Sequence, residues 1–425
     1  MPSTALKLAA ISALRSQPDF SGIRSLNRCS DREMRGFLRW LDHSGLTLHF
    51  LASLRDAGQI ANLRTDIRAA LERRLQANST RMQALLEDCR SVNAAFQTNR
   101  IPHAFLKGFT LIPEFCPEVA LRHHSDVDIL IAPEFLPAAS AVLVACGYQA
   151  QAGSEPSEYV FTTPMLRIPT LRDDIYELPP QRQIELHTSI WNAVGQVSLI
   201  VPMDVLSRAE SREYFGIISS RLSLEDRFLI QVLHAFGHLL GSWLRLSWLW
   251  EIHYFVSTRI HEDALWQSFR ARAGRGARMQ NAIGLVLGLT REIFSTTLPD
   301  SLHESFVEPL PETIQSWIKH CGVQWALADI SGSKLTLLIH REFIGDANTW
   351  RKYLLRRIVP VSAKTSPGGV EASDWKTRIL NLFAKLEFAG ARILFHAREG
   401  LRLGWESLRW RRILHSNRRN HAASS

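Results

Sequence analysis

Between residues 33 and 95 apolar side chains recur at about 3.6-residue spacing, the period that lines one face of a helix. Phe37, Leu38 and Leu41 carry it first, then Leu48, Leu51 and Leu54, and Gly45 and Gly58 divide the stretch into several helices. Leu71, Leu75, Met82, Leu85, Leu86, Val92 and Phe96 continue it as one long amphipathic helix with Arg and Glu on its wet face. From Ile101 to about Pro202 the helical period gives way to short apolar runs bounded by Pro, Gly and Asp. Such runs predict strands over Pro102–Leu106, Val127–Ala132, Glu158–Thr163 and Gln183–His187. Helices are expected over Phe109–Phe115 and Glu134–Cys146, the second stopped by Gly147. Helical spacing returns over Leu224–Trp243, Leu246–Phe255, Ala264–Arg272, Ala277–Phe294 and Thr313–Cys321. Val361–Gly369, with Pro367, Gly368 and Gly369, reads as a linker, and Asp374–Arg412 as one or two basic amphipathic helices. No repeat of fixed period is present.

This order predicts an α+β chain in four parts. Residues 1–95 form an N-terminal helical region, 96–205 a core of strands and helices, 206–350 a helical domain and 351–425 a basic amphipathic helical tail.

Charge changes the picture at one end only. The chain carries 50 Lys and Arg against 41 Asp and Glu, but residues 351–425 hold 16 against 5 and residues 1–350 hold 34 against 36. Whatever anion the basic excess addresses is therefore met by the tail. There Trp375, Leu380, Phe383, Leu386, Leu394, Leu401, Trp405 and Leu408 interleave with Lys and Arg. That pattern suits a peripheral contact with an anionic membrane through residues 374–412, a nucleic-acid groove, or a helix packed on its own domain with a solvated basic face. The longest uncharged apolar run, Phe228–Leu244, has 17 residues, short of the ~20 a spanning helix needs, so no transmembrane segment is expected. No secretory signal is expected either. Five scattered cysteines without a CxxC pair fit a reducing cytoplasm rather than a disulfide framework.

Candidate chemistry concentrates in Arg122-His123-His124-Ser125-Asp126-Val127-Asp128-Ile129-Leu130-Ile131. In a strand, positions i and i+2 share a face, so Asp126 and Asp128 project together while Val127 and Ile129 face the core. Two carboxylates that close favour a divalent cation, and an oxygen-rich set suits Mg²⁺. Upstream, Phe105-Leu106-Lys107-Gly108 ends a strand where a helix begins; glycine lets backbone N–H groups approach a phosphate and Lys107 adds a point charge. Downstream, Ile184-Glu185-Leu186-His187 puts a third carboxylate in a strand with His187 on the same face. No GxSxG, GxxxxGK[ST] or GxGxxG occurs, which removes serine-hydrolase, P-loop and dinucleotide-binding readings. His234 and His238 are four apart on a predicted helix, but no Glu follows His234, so the HExxH zinc pattern is absent and the pair reads as core or as a cleft border.

These residues resemble the nucleotidyltransferases of the DNA polymerase β superfamily, and within it a bacterial family in which Leu-Lys-Gly replaces the usual Gly-Ser. The matching positions are Leu106-Lys107-Gly108, Arg122, Asp126 through Ile131, Gly147-Tyr148, Glu185-Leu186-His187, His234, His238, Trp248 and Glu251, and the likeness runs over roughly residues 33–405. It implies a polymerase β-like core, a short mixed sheet with helices, flanked by helical regions. It implies that Asp126 and Asp128 hold Mg²⁺, with Mn²⁺ as a substitute, and that Glu185 completes the site or takes a proton from an acceptor hydroxyl. Lys107 and Gly108 would contact the triphosphate of an NTP. Arg122 fits either a phosphate contact or neutralisation of Asp126, and His187 either a hydrogen bond within the sheet or a place in nucleotide or acceptor binding. Phe109 stands where the superfamily commonly has a phosphate-gripping Ser. The expected reaction is nucleotidyl transfer from an NTP to an unidentified acceptor, whether glycan, peptide, protein or nucleic acid. The alternative is a nucleotide-binding or degenerate nucleotidyltransferase-like protein that scaffolds a partner through its basic tail, at a membrane surface in glycan biosynthesis among the possibilities.

Overall fold

The computed structural model describes residues 3–151, 158–164, 175–176, 181–242, 244–274, 276–328, 333–358 and 375–424. Helices α1 (Thr4–Ser12), α2 (Ile23–Leu26), α3 (Asp31–Ser44), α4 (Thr47–Asp56) and α5 (Thr65–Thr98) precede the strands. Ser30 starts α3 with a capping box, its side chain bonded to the Glu33 N–H while Glu33 reaches back, which satisfies two donors a helix start leaves open. The strands are β1 (His103–Phe105), β2 (Asp126–Ile131), β3 (Gln149–Ala150), β4 (Glu158–Thr162), β5 (Gln183–His187), β6 (Glu210–Tyr214) and β7 (Ile217–Arg221), with α6 (Leu136–Ala145) after β2. They form one mixed sheet in the order β3-β4-β5-β2-β1-β7-β6. The β2–β5 and β1–β7 pairs are parallel and the others antiparallel.

Strand parity decides what each sheet face does. Val127, Ile129 and Ile131 of β2 join Ile184 and Leu186 of β5 in a core closed by Cys89, Val92 and Phe96 of α5 and by Leu143 of α6. The alternate positions of β2 face the other way, where Leu130 packs with Ala104, Leu106 and Ile230. Ile230 belongs to α7 (Leu224–Leu240), the first helix of a bundle continued by α8 (Leu246–Thr258), α9 (Asp263–Ala273) and α10 (Ala277–Phe294). The bundle core, with Phe228, Phe236, Ile252, Phe255, Leu285 and Leu289, also takes in Phe37, Leu41, Phe50 and Leu51 of α3 and α4. Helix α5 spans both cores: Ile67 and Leu71 sit in the bundle, Val92 and Phe96 beneath the sheet.

The sheet differs from the sequence expectation at its far edge. It runs on to Arg221, so a boundary at residue 205 would detach the β6–β7 hairpin. Only Tyr214, Ile217 and Ser219 of that hairpin are buried, which leaves little apolar alternation to read. Its turn, Phe215-Gly216, has φ of +50° and +76°, the two positive values of a tight hairpin turn that suits strand twist. The helix expected over Phe109–Phe115 is a single 3₁₀ turn, Gly108–Leu111, because Pro113 holds Ile112 extended. Helix Leu224–Trp243 ends earlier, at Leu240. Glu312–Trp317 is helical and continues as a π turn over Ile318–Gly322. The tail is one helix, Trp375–Ser424; the linker expected over 361–369 lies outside the described residues.

Candidate functional site

The parallel pairing of β2 with β5 sets Asp126 beside Gln183, Asp128 beside Glu185 and Leu130 beside His187. Both aspartates, Glu185 and His187 therefore share the face turned toward α7, where Asp126, Glu185 and His187 line a cavity of about 430 Å³ while Asp128 is buried beside them. Ligand atoms of Asp128, Glu185 and His187 lie within 4.8 Å of one another, and Asp126 lines the same cavity. Antiparallel register brings Glu158 of β4 across from His187. Its carboxylate accepts from the Asn192 side-chain amide at 3.0 Å.

Lys107 closes the site from the end of β1. Its Nζ is 3.0 Å from Asp128 Oδ1 and 3.0 Å from His234 Nδ1 on α7. Burial works against the Lys107 ammonium, but Asp128, Asp126 and Glu185 outweigh it and hold its pKa above the usual lysine value. Burial and the Lys107 charge push His234 well below the ordinary histidine range, so neutral His234 accepts the proton Lys107 donates. His238, one turn on, is lowered to about 3 by burial first and Lys107 second. Trp248 packs on both rings.

His187 Nε2 donates to Asp128 Oδ1 at 3.0 Å and lies 3.6 Å from Glu185 Oε2. Burial opposes its protonation, yet those two carboxylates raise it to about 9. Asp128 is likewise opposed by burial but held well below the carboxylate range by Lys107 and His187. Asp126 is raised by burial and by repulsion from Asp128, and Glu185 by burial. The site thus gathers four carboxylates, those of Asp126, Asp128, Glu158 and Glu185, against the positive charges of Lys107, His187 and Arg245, and a divalent cation relieves their crowding. Carboxylate oxygens are the donors Mg²⁺ and Mn²⁺ prefer, so the residues fit such an ion.

Gly108 and Arg122 are not on the cavity wall among the described residues. Gly108 has φ +77°, and a Cβ there would stand 3.1 Å from the His124 ring, so the turn out of β1 needs glycine. Arg122 is buried against the bundle with its Nε 2.9 Å from Glu251 Oε1 on α8; Gln231 of α7 donates to the same carboxylate. The charge that steadies Asp126 from outside the strand pair is Arg245, after Lys107. Glu158, Asn192 and Arg245 were not singled out from sequence. Only the β4–β5 register marks Glu158, and no local motif marks the other two.

Comparison with protein families gives a match over residues 30–295 to the model of an uncharacterised nucleotidyltransferase family. No curated protein sequence matches the chain significantly.

Proposed function

The chain belongs to this nucleotidyltransferase family, a family of transferases, and from that premise we propose that the β2–β5 face carries Mg²⁺-dependent nucleotidyl transfer. In this reading Asp126, Asp128 and Glu185 hold Mg²⁺, with Mn²⁺ as a substitute, and the ion would offset charge on the phosphate oxygens of a bound NTP. Lys107 supplies a fixed positive charge to the triphosphate, and the neutral imidazole of His234 orients its ammonium. Where Glu185 stands outside the ion's ligand set, its carboxylate instead takes the proton of an acceptor hydroxyl. The acceptor oxygen bonds to the α-phosphorus as pyrophosphate departs. His187 keeps Asp128 and Glu185 aligned.

The observation that carries this reading is the Asp128–Glu185 register, with Lys107 of the cavity wall bonded to Asp128. The test is thermal unfolding of wild type and Asp128→Ala with each of the four NTPs, in Mg²⁺ and in EDTA. One NTP at 100 times its Kd should stabilise the wild type by about 2.7 kcal/mol, only with Mg²⁺, and Asp128→Ala should melt lower, since Lys107 and His187 lose their shared partner, but still cooperatively and without response to any NTP. A cooperative wild-type transition that no NTP moves refutes nucleotide transfer and leaves the degenerate scaffold.

A further inference from the structure

Among its described side chains the C-terminal helix Trp375–Ser424 turns two carboxylates inward and a stripe of apolar side chains outward. Glu399, Leu403, Glu406 and Trp410 are buried against the body. Glu399 accepts from the Lys334 backbone N–H at 3.2 Å, and Ile413 and Leu414 pack beside Trp410 on the bundle core. On the opposite side one row holds Leu382, Leu386, Ile393, Leu401 and Leu408, and an adjacent row holds Phe383, Leu394 and Trp405, spaced 11 apart. All are exposed, Leu401 at 80% and Trp405 at 73%. At helical rise and turn they occupy an arc of about 140° along about 39 Å. A lone exposed leucine is ordinary, whereas a stripe of this length marks a contact surface.

Charge on the same face selects the partner. Among the described side chains of this helix both glutamates are buried, while Arg392, Arg398, Arg409, Arg411 and Arg412 are exposed. Helical spacing puts Arg398 and Arg409 along the Trp405 border of the stripe and Arg411 and Arg412 beyond Leu408. Among the described side chains the outward face is thus apolar with positive charge only. A second copy would set these arginines against one another. A nucleic acid would engage them but leave the aliphatic rows without an apolar partner. A leaflet of anionic lipid meets both demands, because acyl chains take the leucines and isoleucine while guanidinium groups reach the headgroup phosphates. No helix among the described residues is long and apolar enough to cross a membrane, so the contact is in the plane of the surface. We propose that this helix docks the protein on an anionic membrane through the Leu382–Trp405–Leu408 face. The packed helix with a merely solvated basic side, one of the sequence readings, accounts for its inner face alone.

Full-length protein sedimented with vesicles of phosphatidylcholine, or of equimolar phosphatidylcholine and phosphatidylglycerol, tests this. Binding is expected to the anionic vesicles at low salt and to fall at high salt. Leu401→Glu with Trp405→Glu should abolish it without moving the unfolding midpoint, since both side chains are exposed. Arg411→Ala with Arg412→Ala should weaken it about thirtyfold. Equal binding to both vesicles, or binding that survives the Glu pair, overturns the proposal. Self-association without vesicles that the Glu pair removes assigns the face to a second copy instead. Tighter binding to a single-stranded oligonucleotide than to vesicles, lost with the arginines, assigns it to nucleic acid.

Discussion

Removing Arg122 should damage the fold and leave nucleotide recognition recoverable. Its guanidinium and the Glu251 carboxylate are both almost fully shielded, at 5% and 2% side-chain exposure, with one contact at 2.9 Å and a second at 3.5 Å. Charges about 4 Å apart at an effective dielectric near 20 attract by roughly 4 kcal/mol. Truncating one partner of such a pair costs about 3–5 kcal/mol, because the other stays buried and uncompensated. Arg122→Met should therefore lower the urea midpoint by that free energy at unchanged slope. The loss should shrink toward acid pH, since burial already raises the Glu251 carboxyl and the orphaned group can take up a proton. Arg122→Met with Glu251→Leu removes both charges, and most of the stability should return. The Mg²⁺-dependent NTP shift should return with it, because Arg122 is not on the cavity wall. A loss below about 1 kcal/mol for the single variant would mean a solvated pair. A double variant that folds well but no longer senses any NTP would refute the placement of Arg122 outside the binding surface.

His187 should stabilise the metal-free protein in a defined pH window. Its pKa is raised from 6.5 to about 9, so its contribution is complete below pH 6.5 and fades as pH rises through about 9. The difference in midpoint between wild type and His187→Gln in EDTA should follow that course, and a difference constant with pH would contradict it. Gly108→Ala should cost about 1–3 kcal/mol, since its φ of +77° and the His124 ring both resist a side chain; an unchanged melting curve would show that the turn re-forms.

Local chemistry made much of this legible. The alternation in Asp126–Ile131 foretold which side chains enter the core, and β5 begins and ends where the apolar run predicts, at Gln183 and His187. What sequence could not supply is register. Nothing local sets Asp128 opposite Glu185 or brings Glu158 across from His187, because pairing is fixed by the packing of α5 and α6 beneath the sheet. The β6–β7 hairpin escaped because a solvated edge needs few apolar residues, and its Phe215-Gly216 turn is not among the strongest turn dipeptides. Arg122 shows the opposite failure. An arginine four residues before an aspartate invites a local partner, but the partner chosen, Glu251, is 129 residues away and visible only once α8 is folded beside it.

Helix α5 has a mechanical consequence. It runs 34 residues without glycine or proline, so it has none of the usual points at which a helix bends. One half is rooted in the bundle that carries His234 and the other in the sheet that carries Asp128, while Asn78 midway ties it to the Ala120 and Arg122 carbonyls. A hinge between sheet and bundle would have to bend this rod. The gap between the two walls of the cavity is therefore set at folding, and under the proposed function discrimination among nucleotides would rest on the fit to a gauge of fixed width.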